Sequence, residues 1–233
     1  MAFLHSGPAR QPAFHAPAVV LWLIALLAAA HGGRMLLDPQ ASADVITRYA
    51  FIPARYAFAG PLWDQAVPFV SYMALHGGWE HLVINCLWLL AFGPIVARRF
   101  GTLLFLLFFL VCGVAGAAAH LAFNWGSPDP VVGASGAISG LMAAGLRMLP
   151  GMFPWAMPGE TRLAPIFSRQ ILTFTLSWAV LNIVIGVAGV SFLGAEGAVA
   201  WQAHLGGYLA GLLLSGPFDL LRPRALAPSL DEG

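Results

Sequence analysis

The sequence predicts an all-α polytopic membrane protein with six transmembrane helices, the fourth of them short. Composition is the first reason: 59% of the 233 residues are hydrophobic and only 9% are charged, against roughly 25% charged in an ordinary soluble domain. Periodicity is the second. Apolar runs approaching the roughly 20 residues that cross a bilayer recur at 16–36, 79–97, 102–123, 133–149, 167–190 and 198–216. The third is the placement of arginine. Threading six crossings puts Arg10, Arg98, Arg99, Arg147, Arg162, Arg169, Arg222 and Arg224 on one side and leaves Arg34, Arg48 and Arg55 on the other. The arginine-rich side is the cytoplasm, so both termini are expected there.

The organisation follows. Residues 1–15 read as a cytoplasmic N-terminal segment, 16–216 as one membrane domain and 217–233 as a cytoplasmic tail. The first run has a second reading as a signal peptide, because AVVLWLIALLAAA is short and ends in small residues. The run resumes at Met35-Leu36-Leu37, which favours a retained span. The connection 37–78 mixes Asp38, Asp44 and Asp64 with prolines and aromatics, a composition that suits a folded external loop, partly embedded in the membrane.

The fourth run is bracketed by Pro128-Asp129-Pro130 and Pro150-Gly151. The roughly 16 residues between make a helix of about 24 Å, short of a hydrocarbon core near 30 Å. A helix that starts below the surface implies a wet indentation above it, since irregular backbone at membrane depth survives only where protein or water satisfies it. Ser135 falls at the floor of that indentation.

Other polar groups reach the same layer. His81 and Asn85 are four residues apart in the outer part of the second span, on one helix face. His204 lies about 9 Å inside the external start of the sixth span. Each would cost roughly 2–7 kcal/mol if left without a partner in lipid. Together they suit acyl transfer. A serine hydroxyl needs a base to accept its proton, and a neutral imidazole can do so. The first turn of a helix offers free backbone N–H groups to an oxyanion, and the Asn85 amide and His81 ring could add more. Gly133 and Gly136 leave backbone accessible beside Ser135. Gly136/Gly140 and Gly207/Gly211 form small faces on which spans four and six can approach closely.

Three motifs carry these residues: HGGWEHLVIN at 76–85, GASGAISG at 133–140 and AHLGGYLAG at 203–211. In this order and spacing the chain resembles the rhomboid family of intramembrane serine proteases. The resemblance implies a six-span rhomboid-like core in which Ser135 is the nucleophile and His204 its general base. It further implies that His81, Asn85 and the Ser135 backbone N–H bind the oxyanion, and that spans two and five flank the route of a substrate helix. The substrates so implied are single-span membrane proteins cut near the external end of their helices, and the minimal six-span core leads us to expect a bacterial cytoplasmic (inner) membrane. Two departures stand out. Ser139 occupies the position where many members stack an aromatic ring on the histidine, and Glu80 stands where an apolar residue is usual. Something other than an aromatic at 139 must therefore orient His204.

Competing readings are weaker on the residues. His76, Glu80 and His81 lack the HExxH spacing of a zinc helix, so no metal and no cofactor are expected. Cys86 and Cys112 fall in apolar runs and read as core thiols. His76 reads as a structural loop residue, His120 and Asn182 as packing or interface residues rather than reactive ones, and Gln202 as having no role. All eleven basic residues are arginines against ten acids, a balance that gives no sign of a nucleic-acid partner. A member of the family without activity, binding and routing membrane clients through the same cavity, is the alternative function. Oligomeric state is left open.

Overall fold

The structure is a computed structural model, which describes residues 16–149, 162–188 and 199–222. The expected segment 1–15, the residues beyond 222 and the predicted span ends at 189–190 and 198 lie outside the described residues. Among the described residues the regular structure is helical: α1 (Ala18–Met35), α2 (Pro39–Tyr49), α3 (Leu62–Ala66), α4 (Pro68–Ser71), α5 (Trp79–Phe123), α6 (Ser135–Met148), α7 (Arg169–Val187) and α8 (Trp201–Leu221). Helices α1, α5 and α7 are each long and apolar enough to cross a membrane.

Local chemistry sets the boundaries. Asp38 caps α2 by accepting from the Ala41 N–H at 3.0 Å, and Pro39 follows at the first helical position, where its missing N–H costs nothing. The 45 residues of α5 would form a rod of about 68 Å, twice the hydrocarbon thickness. Gly101 breaks it, with φ 77° and ψ 171°, a conformation that suits glycine. The chain folds back there. His81 on the first arm lies against Gly133, whose N–H donates to the Tyr72 carbonyl, and the Tyr72 hydroxyl donates to the Gly113 carbonyl on the second arm. The two predicted spans 79–97 and 102–123 are thus the arms of one broken helix.

Helix α6 is the centre. Every residue after Ser135 in its 14-residue length is buried. Lipid offers no hydrophobic drive between helices, so close van der Waals packing must hold them. Glycine permits it: a Cβ built on Gly207 or Gly211 would collide with the carbonyl of Gly136 or Gly140 across the α6–α8 contact. At the far end, the buried Arg147 donates to the carbonyls of Ala164 and Leu212, both at 2.8 Å, and to the Ser215 hydroxyl at 2.7 Å. Helix α8 continues past Pro217 to Leu221, and Asp219 there pairs with Arg99 at 2.6 Å.

The connection 37–78 is folded into α2, α3, α4 and two 3₁₀ turns, Pro53–Ala57 and Tyr72–Ala74. Phe51, Tyr56 and Phe69 cluster with ring centroids 4.9–5.4 Å apart. An isolated bridge pairs Phe51 with Val131 through N–H to carbonyl bonds of 3.0 and 2.8 Å. Together with the Gly133–Tyr72 bond of 2.9 Å, it clamps the strand-like approach to Ser135.

Candidate active site

Ser135 is the first residue of α6, and the first i→i−4 bond into the helix is made by Ile138, whose N–H reaches the Ala134 carbonyl at 3.0 Å. The N–H groups of Ser135, Gly136 and Ala137 therefore have no acceptor within the helix. The Ser135 side chain does not cap the helix. Its Oγ instead lies 2.7 Å from Nε2 of His204. Both residues are half-buried. Gly116 and Gly136 both pack against the backbone of Ala203, so the second arm of α5 and α6 bracket α8 just before His204.

His81 and Asn85 occupy the first arm of α5. The His81 Nδ1 accepts from the Gly77 N–H at 3.4 Å, which leaves Nε2 as the protonated nitrogen of a neutral ring. That edge lies against Gly133, where φ is +119°. A side chain at 133 would be strained and would strike the imidazole. The Asn85 amide donates to the His81 carbonyl at 2.8 Å, so one of its two N–H groups remains free, and its buried Oδ1 has no partner. The structure thus brings Ser135 and His204 into direct contact and sets His81 beside Gly133, two residues before the serine.

The sequence match agrees with this arrangement. Residues 63–218, some two thirds of the chain, match the rhomboid domain. The chain belongs to the rhomboid family. It is 29% identical over 171 residues to rhomboid protease GluP of Bacillus subtilis (strain 168), covering 73% of this chain and 29% of that protein. It is 33% identical over 160 residues to RHOMBOID-like protein 4 of Arabidopsis thaliana, covering 69% and 36%, and 27% identical over 203 residues to RHOMBOID-like protein 5, covering 84% and 58%. This rhomboid therefore spans between about three tenths and three fifths of the length of these curated relatives. With its apolar helices, the match makes the chain an integral membrane protein.

One contact in this rhomboid adds what the sequence reading left open. Asn182, expected to be a packing or interface residue, places Oδ1 2.9 Å from Nδ1 of His204. Its polarity in the otherwise apolar stretch 178–187 of α7 was the available signal, since a polar group in a span is costly unless it has a partner. What hid it was the partner's distance in the chain. Ser139 does not touch His204; its hydroxyl donates to the Ser135 carbonyl at 2.7 Å within α6. Tyr208 stacks on Trp178 with centroids 4.6 Å apart and shares a 2.9 Å hydrogen bond with Thr175. His120 bonds to Asn124, as a packing residue would.

Proposed function

We propose that this rhomboid is an intramembrane serine endopeptidase that cuts single-span membrane proteins in or near their transmembrane helices. The observation that carries the reading is the 2.7 Å contact between the Ser135 hydroxyl and His204 Nε2 at the start of a short, buried helix. His204 accepts the hydroxyl proton as Oγ attacks the scissile carbonyl carbon. The oxyanion is met by the free N–H groups of the first turn of α6, with the remaining Asn85 N–H and the His81 ring in support. His204 then delivers the proton to the leaving amine. Water, deprotonated by the same histidine, hydrolyses the acyl-enzyme and releases Ser135.

The reading extends to topology. The chain crosses the bilayer six times as α1, the two arms of α5, α6, α7 and α8, with both termini cytoplasmic, in a bacterial inner membrane. The membrane domain runs over 16–216. The serine lies below the external surface, and substrate enters beside α7.

Labelling of the purified protein in detergent with a fluorophosphonate tests the reading without knowledge of the substrate. Labelling that disappears in Ser135→Ala and in His204→Ala is the expected result. Absence of labelling in folded wild-type protein, beside a reactive serine protease, would favour a rhomboid that binds membrane clients without cutting them.

A further inference from the structure

The aromatic ring that would hold the catalytic histidine is replaced by Ser139, yet the His204 ring is fixed on both sides. Its Nε2 meets Ser135 at 2.7 Å and its Nδ1 meets Asn182 at 2.9 Å. The Asn182 amide is itself oriented. Its Nδ2 donates to the Trp178 carbonyl at 2.9 Å, and a carbonyl can only accept. The opposite orientation would set two oxygens against each other, so Oδ1 must be the atom that faces His204. An amide oxygen also only accepts, so the proton of the neutral imidazole sits on Nδ1. Nε2 is then left with its lone pair toward the Ser135 hydroxyl.

We propose that Asn182 is the positioning residue of this active site: through Trp178, Asn182 and His204 it fixes the histidine as the tautomer whose Nε2 takes the serine proton. The inference rests on the dyad reading above. Asn182 touches neither nucleophile nor scissile bond, and it acts through His204. The role is that of the orienting carboxylate in a soluble serine hydrolase, filled here by a neutral amide. An amide suits membrane depth, where a carboxylate would add a charge to desolvate. The acceptor sits on a different helix from the base. Helix α7 buries only Ile171 fully and is tied to α8 by this bond and by the Thr175–Tyr208 and Trp178–Tyr208 contacts. Alignment of His204 therefore depends on α7 lying against α8.

The test is steady-state cleavage of a fluorogenic transmembrane peptide across pH, with wild type, Asn182→Leu, Asn182→Asp and Ser135→Ala, each checked for monodispersity and thermal melting. Asn182→Leu fills similar volume and accepts no hydrogen bond; kcat is expected to fall about a hundredfold to ten-thousandfold with KM nearly unchanged, the range that general-base catalysis supplies. Asn182→Asp restores the acceptor and adds a negative charge beside the imidazole. Because its second oxygen replaces the Nδ2 that donates to the Trp178 carbonyl, it is expected to recover only part of kcat at alkaline pH, with the acidic limb of the pH–rate profile moved to higher pH. Wild-type kcat in Asn182→Leu overturns the proposal, as does an unmoved acidic limb in Asn182→Asp. If Ser135→Ala cleaves normally, the dyad reading falls instead; a dead Ser135→Ala beside a fully active Asn182→Leu removes the positioning role alone.

Discussion

The hydroxyl of Ser135 lies 2.7 Å from Nε2 of His204, across 69 residues of sequence. A contact of that length between a helix-terminal serine and an imidazole makes the two a single chemical unit. Removing either should abolish what both do. Ser135→Ala and His204→Ala are each expected to lower the cleavage rate by about three orders of magnitude or more, with the double variant no slower than the singles. Initial rates on one transmembrane substrate would check this. Additive losses would mean that the two groups act independently.

The arrangement was legible in the sequence only in part, and the division has a physical reason. Glycines at 136, 140, 207 and 211 announce two helices in backbone contact, because small residues at four-residue spacing do little else in a membrane. The short helix was visible in the prolines around it. The pairing of Phe51 with Val131, which holds the approach to Ser135, was not visible, because a two-residue bridge leaves no periodic trace. The Asn182 contact was hidden for a related reason. Its spacing from His204 places it on no shared helix face, and only the packing of α7 on α8 brings the two together.

Asn85 gives the second prediction. Its amide makes one hydrogen bond, to the His81 carbonyl at 2.8 Å, and keeps one N–H free while its oxygen is buried without a partner. A donor held in place but unused in the resting protein is suited to charge that develops only in the transition state. Asn85→Ala should slow kcat by about tenfold to a thousandfold, as loss of one oxyanion donor does elsewhere, and leave fluorophosphonate labelling detectable. Unchanged kcat would remove Asn85 from the oxyanion site.

Gly207 tests the packing that brings the dyad together. A Cβ there meets the Gly136 carbonyl, one residue from Ser135, the proposed nucleophile, and backbone cannot retreat as a flexible side chain can. Gly207→Ala is expected to push α8 from α6, lengthen the Ser135–His204 contact and reduce cleavage at least tenfold, with a melting temperature several degrees lower. Gly101→Ala is the control. Its φ of +77° and ψ of 171° make it strained, but nothing lies within 4 Å of the added methyl, so stability should fall by about 1–3 kcal/mol with the catalytic rate preserved.

Arg147 is the polar anchor at the opposite end of α6. Its guanidinium is buried and bonded to two carbonyls and the Ser215 hydroxyl, joining α6 to α8 and to the segment before α7. Arg147→Met keeps the apolar stem but removes all three donated bonds; Ser215 still bonds to the Leu212 carbonyl, while the Ala164 carbonyl loses this donor, at a cost of about 1–3 kcal/mol. Arg147→Lys should recover only part of this, because one ammonium cannot span the directions that the planar fork serves. Thermal unfolding in detergent would rank the three proteins. Equal stability of Met and wild type would show that the acceptors find other donors.

The last prediction concerns pH and lies outside the dyad. His76, in the loop before α5, is fully buried, with the rings of His81 at 5.2 Å and His31 at 6.3 Å and the Arg34 guanidinium on its carbonyl at 2.8 Å. Burial, reinforced by the positive charge that His81, His31 and Arg34 can carry, pushes the His76 imidazole down to about 3. The sign follows from the two states. Above the unfolded value near 6.5, His76 is neutral folded and unfolded, and contributes nothing to the pH dependence. Between 6.5 and about 3 the unfolded chain binds a proton that the native one refuses, so stability falls by roughly 1.4 kcal/mol per pH unit. His76→Asn cannot titrate. Its melting temperature should therefore lie below that of wild type at pH 7.5, where the native packing is lost without gain, and the gap should narrow or reverse by pH 5. Parallel melting curves across that range would show that His76 is hydrated or protonated in the native protein, and that another group sets its acid sensitivity.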